Sequence, residues 1–320
     1  MTNPEQAKRF HILSIDGGGI KGIFSAAVLA AIEDDLKINV VDHFDLVAGT
    51  STGGIIALGL GLGMRPREIV EFYVREGPRI FPRWFGAKRL QHWFYRKFSA
   101  EPLIAALRSC FKDKRFGDSK KRLIIPSYNL GDDDVYIFRT PHHERLKRDF
   151  KVPAWKVALA TSSAPTFFPC TREVDSVRLV DGGVWANNPT MIAIVEAYDT
   201  LRIPMESLCV FSIGTSDAVS HRRSRLNSGG IVSWAVGNAA VDVIMRGQSL
   251  AAFHQATHLI GKDRVDRLNP QVAADEFSLD GVHKADDLIG KAAHHSRLFM
   301  PTFEQKFALH RAGRYEPMHT

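Results

Sequence analysis

The segment Gly49-Thr50-Ser51-Thr52-Gly53 sets a serine between two glycines, each two residues away. An apolar strand-like run, Phe44-Asp45-Leu46-Val47-Ala48, precedes it, and a helix-like run, Gly54-Ile55-Ile56-Ala57-Leu58, follows. This is the Gly-x-Ser-x-Gly pattern of a nucleophile elbow, in which a sharp strand-to-helix turn lifts a hydroxyl out of the backbone. The glycines omit Cβ atoms where strand and helix must approach, and one of them could take a positive φ. The N-terminus of the following helix favours negative charge near Ser51. A serine so placed needs two further parts to act as a nucleophile: a base, and donors for the oxyanion that forms on attack.

Candidates for both lie elsewhere in the chain. The short apolar run His11-Ile12-Leu13-Ser14-Ile15 leads into Asp16-Gly17-Gly18-Gly19-Ile20-Lys21-Gly22 and then into a run with helical apolar spacing. Consecutive glycines leave backbone N–H groups unobstructed, which suits an oxyanion hole. Gly17, Gly19 and Gly22 also satisfy G-x-G-x-x-G, the dinucleotide fingerprint, whereas no Gly-Lys-Ser/Thr closes the run as a phosphate-binding loop would. The dinucleotide reading needs an acid at the end of the second strand. Asp42 and Asp45 are near the required distance, but Asp45 starts its strand, and that strand ends in the serine elbow. Farther on, Val177-Arg178-Leu179-Val180 reads as a strand ending in Asp181-Gly182-Gly183. An aspartate there is placed like a catalytic side chain of an open α/β sheet, and equally like the cap of a turn.

Together these pieces resemble the patatin-like phospholipase family. The likeness covers the glycine-rich loop 16–22, the elbow 49–53, the stretch Ala160-Thr161-Ser162-Ser163-Ala164-Pro165-Thr166-Phe167-Phe168-Pro169 and the motif 181–183, in that order. The resemblance implies a three-layer α/β/α fold with a mostly parallel central sheet and appended C-terminal helices. It implies a Ser51–Asp181 dyad that hydrolyses phospholipid esters through an acyl-enzyme, with Gly17, Gly18 and Gly19 forming the oxyanion loop and no cofactor. Lys21, at the start of the next helix, could meet a lipid phosphate or simply remain solvated. Similarity continuing through Thr140-Pro141-His142-His143 and Val184-Trp185-Ala186-Asn187-Asn188-Pro189 looks like bacterial patatin-like effectors of anti-phage defence, switched on by a cyclic dinucleotide such as 3′,3′-cGAMP. It therefore implies a cyclic dinucleotide activator and oligomer formation. An ungated lipase or esterase and a dinucleotide-binding oxidoreductase are the alternatives.

The 320 residues, 45% hydrophobic and 24% charged, suit one large α/β domain. We expect residues 1–320 to form a single catalytic domain, with a core over about 10–215 and a helical part over about 216–320. Helices are predicted near 20–37, 53–63, 67–77, 99–112, 153–161, 189–202, 231–260 and 286–312. Strands are predicted near 10–15, 44–48, 122–129, 134–139, 177–180 and 207–213. Cys110, Cys170 and Cys209 are too few and too scattered for a disulfide framework. Met1 to Arg9 lacks an apolar signal segment, and no apolar run approaches the ~20 residues of a membrane span. The expectation is a cytoplasmic protein that works peripherally at the inner membrane surface.

Charge is unevenly placed. Residues 65–122 carry 16 Lys/Arg against 6 Asp/Glu, interleaved with Phe72, Tyr73, Phe81, Trp84, Phe85, Trp93, Phe94, Tyr95 and Phe98. Such a segment suits an anionic membrane surface. A nucleic acid or an inward-packed helical insertion would also fit it, and no nucleic acid polymer is expected as a partner. Prolines and glycines between Gly77 and Gly86 would allow a lid, and residues 221–225 add a second basic cluster. Among the histidines, His254 and His258 share a helix face at metal-ligand spacing, but no H-E-x-x-H motif supports a metal site, and none is expected.

Overall fold

The structure is a computed structural model, described here for residues 9–82, 97–219, 227–228, 230, 239–273 and 276–320. The elements, in chain order, alternate as the sequence predicts. Strand β1 (Phe10–Ile15) leads to α1 (Gly22–Leu36), β2 (Leu46–Gly49) to α2 (Thr52–Gly61), followed by α3 (Pro66–Ile80) and α4 (Glu101–Phe111). A hairpin, β3 (Arg122–Asn129) and β4 (Asp134–Arg139), precedes α5 (Ala154–Ser162). Next come β5 (Leu179–Asp181), the single turn α6 (Gly183–Ala186), α7 (Thr190–Val195) and β6 (Leu208–Ile213). The last third holds β7 (Asp217–Val219), α8 (Ala239–Ile260), β8 (Val265–Leu268), β9 (Gln271–Ala273) and α9 (Ala285–Lys306).

The main sheet runs β4-β3-β2-β1-β6-β8, parallel except for β4. Every residue of β1 and β6 is buried, as expected where helices cover both faces of a parallel sheet. Alternation sorts their side chains. Leu13, Ile15, Val47 and Phe211 pack on one side with Phe24 of α1 and Phe303 of α9. Ile12, Leu46 and Val210 pack on the other with Ile194 of α7 and Ala256 and Ile260 of α8. The result is the expected three-layer α/β/α sandwich.

One departure from parallel order positions the site. Strand β2 pairs parallel with the first residues of β3 (Leu46↔Arg122 to Ala48↔Ile124), while β5 pairs antiparallel with its last (Asn129↔Leu179 to Ser127↔Asp181). Because β4 occupies the opposite edge of β3, β2 and β5 share one edge with their carboxyl ends pointing at each other. The residues that end those strands, Gly49 and Asp181, therefore meet head to head.

The C-terminal third is not wholly helical. Strand β8 joins the main sheet beside β6, and β7 pairs with β9 in a small parallel ribbon. The sequence hides β8 because its centre is charged: Asp266 pairs with Lys306 of α9 at 2.9 Å, and Arg267 pairs with Asp16. The predicted helix 189–202 ends early, giving way to a π-turn at Glu196–Thr200. Glu196 there accepts from Arg139 (3.2 Å) and bonds buried His142 (3.0 Å), fastening β4 to α7.

At the amino ends of the strands lies a second buried polar knot. Asp45 Oδ2 accepts from the His11 amide at 2.9 Å and bonds His310 Nε2 at 2.7 Å. The His11 ring is fully buried against His310, with centroids 4.0 Å apart. Burial drives its pKa down to about 3, so the ring is neutral. This knot is where Asp45 spends its carboxylate, far from any ribose-binding position.

Candidate active site

Ser51 is the residue between β2 and α2, at φ 54° and ψ −121°. That positive φ is strained for a residue with a Cβ and is tolerated where packing over-determines it. The serine itself, not a flanking glycine, takes it, so the expectation that Gly49 or Gly53 would adopt a positive φ is corrected. The glycines serve close approach instead. A Cβ on Gly49 would lie 2.1 Å from the Gly53 carbonyl oxygen, and one on Gly53 would lie 2.2 Å from that of Ile15. The Ser51 amide is held by Thr161 Oγ1 at 3.0 Å, and that hydroxyl donates to the Pro126 carbonyl at 2.6 Å.

Ser51 Oγ donates to Asp181 Oδ2 at 2.6 Å, a short charge-assisted hydrogen bond. The other carboxylate oxygen accepts the Gly183 amide at 2.7 Å. Asp181 is almost wholly buried, and burial pushes its pKa up to about 7 against those two hydrogen bonds. Gly182 is required by contact, since a Cβ there would sit 2.3 Å from the Pro126 carbonyl oxygen. The two ends of the head-to-head strands thus hold a hydroxyl and a base of matched position.

The glycine loop divides its amides. Gly17 N donates to the Asn187 carbonyl at 3.0 Å and Ile20 N to the Leu279 carbonyl at 2.8 Å. The amides of Gly18 and Gly19 carry no hydrogen bond among the described residues, and both residues line the same cleft as Ser51. Gly17 is therefore corrected from oxyanion donor to anchor. The outer side of the loop is filled: a Cβ on Gly18 would meet Thr215, and one on Gly19, at φ 58°, would meet the Leu279 carbonyl. Beneath the loop, Arg267 grips Asp16 with two guanidinium nitrogens, at 2.6 and 3.2 Å.

Lys21 does not reach the cleft. Its ammonium points to the Ser216 carbonyl at 3.4 Å, burial lowers its pKa, and Asp217, Asp242 and Asp16 supply the opposing charge. Phe72, Tyr73 and Phe81 line the cleft rather than standing free for a membrane, and Phe98 is buried beside Phe81. Trp84, Phe85, Trp93, Phe94 and Tyr95, the lid reading and the basic cluster 221–225 lie outside the described residues. The cleft encloses about 750 Å³ with its open mouth counted, and its wall is overwhelmingly apolar. Among the described residues no three His, Cys, Asp or Glu side chains gather as metal ligands, and no helix is long and apolar enough to cross a membrane.

Sequence comparison supplies the lineage of this geometry. The sequence profile of the family "Patatin-like phospholipase" matches residues 13–194, which include the elbow, the glycine loop and Asp181. The chain belongs to the patatin-like phospholipase family. It is a lipid acyl hydrolase. It is 32% identical over 348 residues to a cGAMP-activated phospholipase of Vibrio cholerae, covering 97% of each chain. To a cGAMP-activated phospholipase of Pseudomonas aeruginosa it is 31% identical, over 85% of this chain and 83% of the relative. A rice protein, Patatin-like protein 2 of Oryza sativa, is 32% identical over 66% of this chain and 58% of its own.

Two members of the site escaped sequence reading. Thr161 was visible only inside a family-like stretch, and Arg267 lies 251 residues from the aspartate it holds. Neither stands in a local pattern.

Proposed function

We propose that this patatin-like phospholipase hydrolyses membrane phospholipid esters with a Ser51–Asp181 dyad and that a cyclic dinucleotide switches it on. The observation that carries the catalytic part is the 2.6 Å contact between Ser51 Oγ and Asp181 Oδ2 at the head of an apolar cleft. An acyl chain lies along Phe72, Tyr73 and Ile55, which sets the ester carbonyl beside Ser51. Asp181 takes the hydroxyl proton as Oγ bonds to the carbonyl carbon, and the carbonyl oxygen becomes an oxyanion held by the Gly18 and Gly19 amides. The C–O bond to the glycerol breaks, and the leaving alkoxide takes the proton from Asp181. Water then loses a proton to Asp181 as it attacks the acyl-enzyme carbonyl, and as the C–Oγ bond breaks Asp181 returns that proton to Ser51 Oγ, which releases the fatty acid.

The gating part rests on the two relatives named as cGAMP-activated phospholipases, which match most of this chain. It fits a role in anti-phage defence, with membrane phospholipid as the target and the inner membrane surface as the place of action. The test is fatty-acid release from phospholipid vesicles, with and without a panel of cyclic dinucleotides including 3′,3′-cGAMP. Release by wild type that Ser51→Ala abolishes supports the dyad, and dependence on one nucleotide supports the switch. Release indifferent to every nucleotide leaves an ungated lipase. Undiminished release by Ser51→Ala overturns the proposal.

A further inference from the structure

Asn187 has so far served only through its backbone, whose carbonyl anchors Gly17. Its carboxamide also lines the cleft with Ser51, Asp181, Gly18 and Gly19. Oδ1 is buried and has no hydrogen-bond partner among the described residues, while Nδ2 points at Ser249 Oγ, 3.1 Å away. The unpartnered end is wedged into the reaction centre. It lies 2.5 Å from where a Cβ of Gly17 would be and 3.3 Å from where one of Gly183 would be. The same Gly17 position is 3.3 Å from Ser51 Cβ, and the Gly183 position is 3.0 Å from Asp181 Oδ1. Glycine at 17 and at 183 is what makes room for this side chain.

An acceptor is the wrong group for that place. A carbonyl oxygen there shares the Gly183 position with Asp181 Oδ1 and finds no donor among the described residues, while Ser249's hydroxyl proton is given no acceptor among them. Turning the carboxamide by 180° resolves both, because amide oxygen and nitrogen occupy interchangeable positions. Ser249 then donates to Oδ1, and Nδ2 takes the place between Gly17 and Gly183, the positions that adjoin Ser51 Cβ and Asp181 Oδ1.

We propose that the Asn187 carboxamide, oriented by Ser249, is a third donor of the oxyanion site, beside the Gly18 and Gly19 amides, and donates a hydrogen bond to the carbonyl oxygen of the scissile ester. It rests on the Ser51–Asp181 reading and assigns a side chain to the same oxyanion site. Losing one such donor from a preorganised oxyanion site typically lowers turnover about 10²–10³-fold.

The experiment is steady-state hydrolysis of p-nitrophenyl butyrate by the full chain, with 3′,3′-cGAMP present, for wild type, Ser51→Ala, Asn187→Ala, Asn187→Asp and Ser249→Ala. Melting temperatures are measured alongside. The expected result for Asn187→Ala is a kcat about 10²–10³-fold lower, with KM and melting temperature nearly unchanged. Asn187→Asp, which keeps the shape but offers no donor when ionised, should be equally impaired. Ser249→Ala should lose less, and in kcat only. Asn187→Ala with wild-type kcat, or a loss confined to KM and melting temperature, overturns the assignment while leaving the dyad standing. Hydrolysis that Ser51→Ala does not diminish overturns the dyad reading and the Asn187 role with it.

Discussion

At the residue scale, burial has tuned Asp181 for use near neutrality. A free aspartate is a weak base for a serine proton, and a pKa of about 7 suits Asp181 to the base role proposed for it. Only the ionised form can accept that proton, so the rate of ester hydrolysis should rise through pH 7 and level off above it. A pH–rate profile flat from 5 to 9 would contradict this. The same burial has a cost in stability. Between pH 4 and 7 the unfolded chain has released the Asp181 proton while the folded chain retains it, so stability falls as pH rises through that window. Asp181→Asn should therefore abolish hydrolysis yet melt a few degrees higher than wild type at pH 8, with the difference shrinking at pH 5. Calorimetry at the two pH values checks it. The residues of the proposed dyad stand out in the sequence because Ser51 follows a strand between two glycines and Asp181 ends one before two glycines. Asn187 and Arg267 do not, because what matters is the partner each meets across the fold.

At the scale of elements, the site depends on how tightly strands and helices abut. Gly53→Ala would drive a methyl group into the Ile15 carbonyl, a backbone atom that cannot yield without moving β1. Overpacking of this kind costs about 1–3 kcal/mol and sometimes more. The expected outcome is a clear fall in melting temperature together with lost activity, because α2 and the glycine loop shift together. Arg267 acts from the sheet edge. Removing it as Arg267→Ala strands a buried carboxylate at Asp16, a loss of about 3–5 kcal/mol in comparable buried pairs. The double variant Asp16→Leu/Arg267→Met should recover much of that stability, and a double-mutant cycle by denaturant unfolding measures the coupling. The six strands predicted from sequence were found because apolar runs end at glycine, proline or aspartate. Strands β7, β8 and β9 were missed because each is three or four residues long, and β8 is charged at its centre.

At the scale of the whole molecule, the two ends of the sheet have opposite chemistry. The carboxyl ends hold the cleft, and the amino ends hold the neutral His11 ring packed against His310. Between pH 6.5 and about 3 the unfolded chain binds a proton at His11 that the folded chain refuses, so this group erodes stability as pH falls through that window. His11→Leu should flatten the acid limb of a melting-temperature curve between pH 6 and 4, and an unchanged slope would refute it. We propose that the chain forms the single domain expected of it, because β8 completes the main sheet and Phe303 and Phe307 enter its core. The sequence-level division at about 215 followed the end of β6, where strong strand signals stop. The head-to-head meeting of β2 and β5 has a consequence for how the chain is made. A ribosome exposes Ser51 long before Asp181, and Arg267 comes last, so a half-synthesised chain carries a hydroxyl with no base and a loose glycine loop. With the proposed dyad, the nascent chain therefore gains hydrolytic activity only after Asp181 has followed Ser51 out by 130 residues.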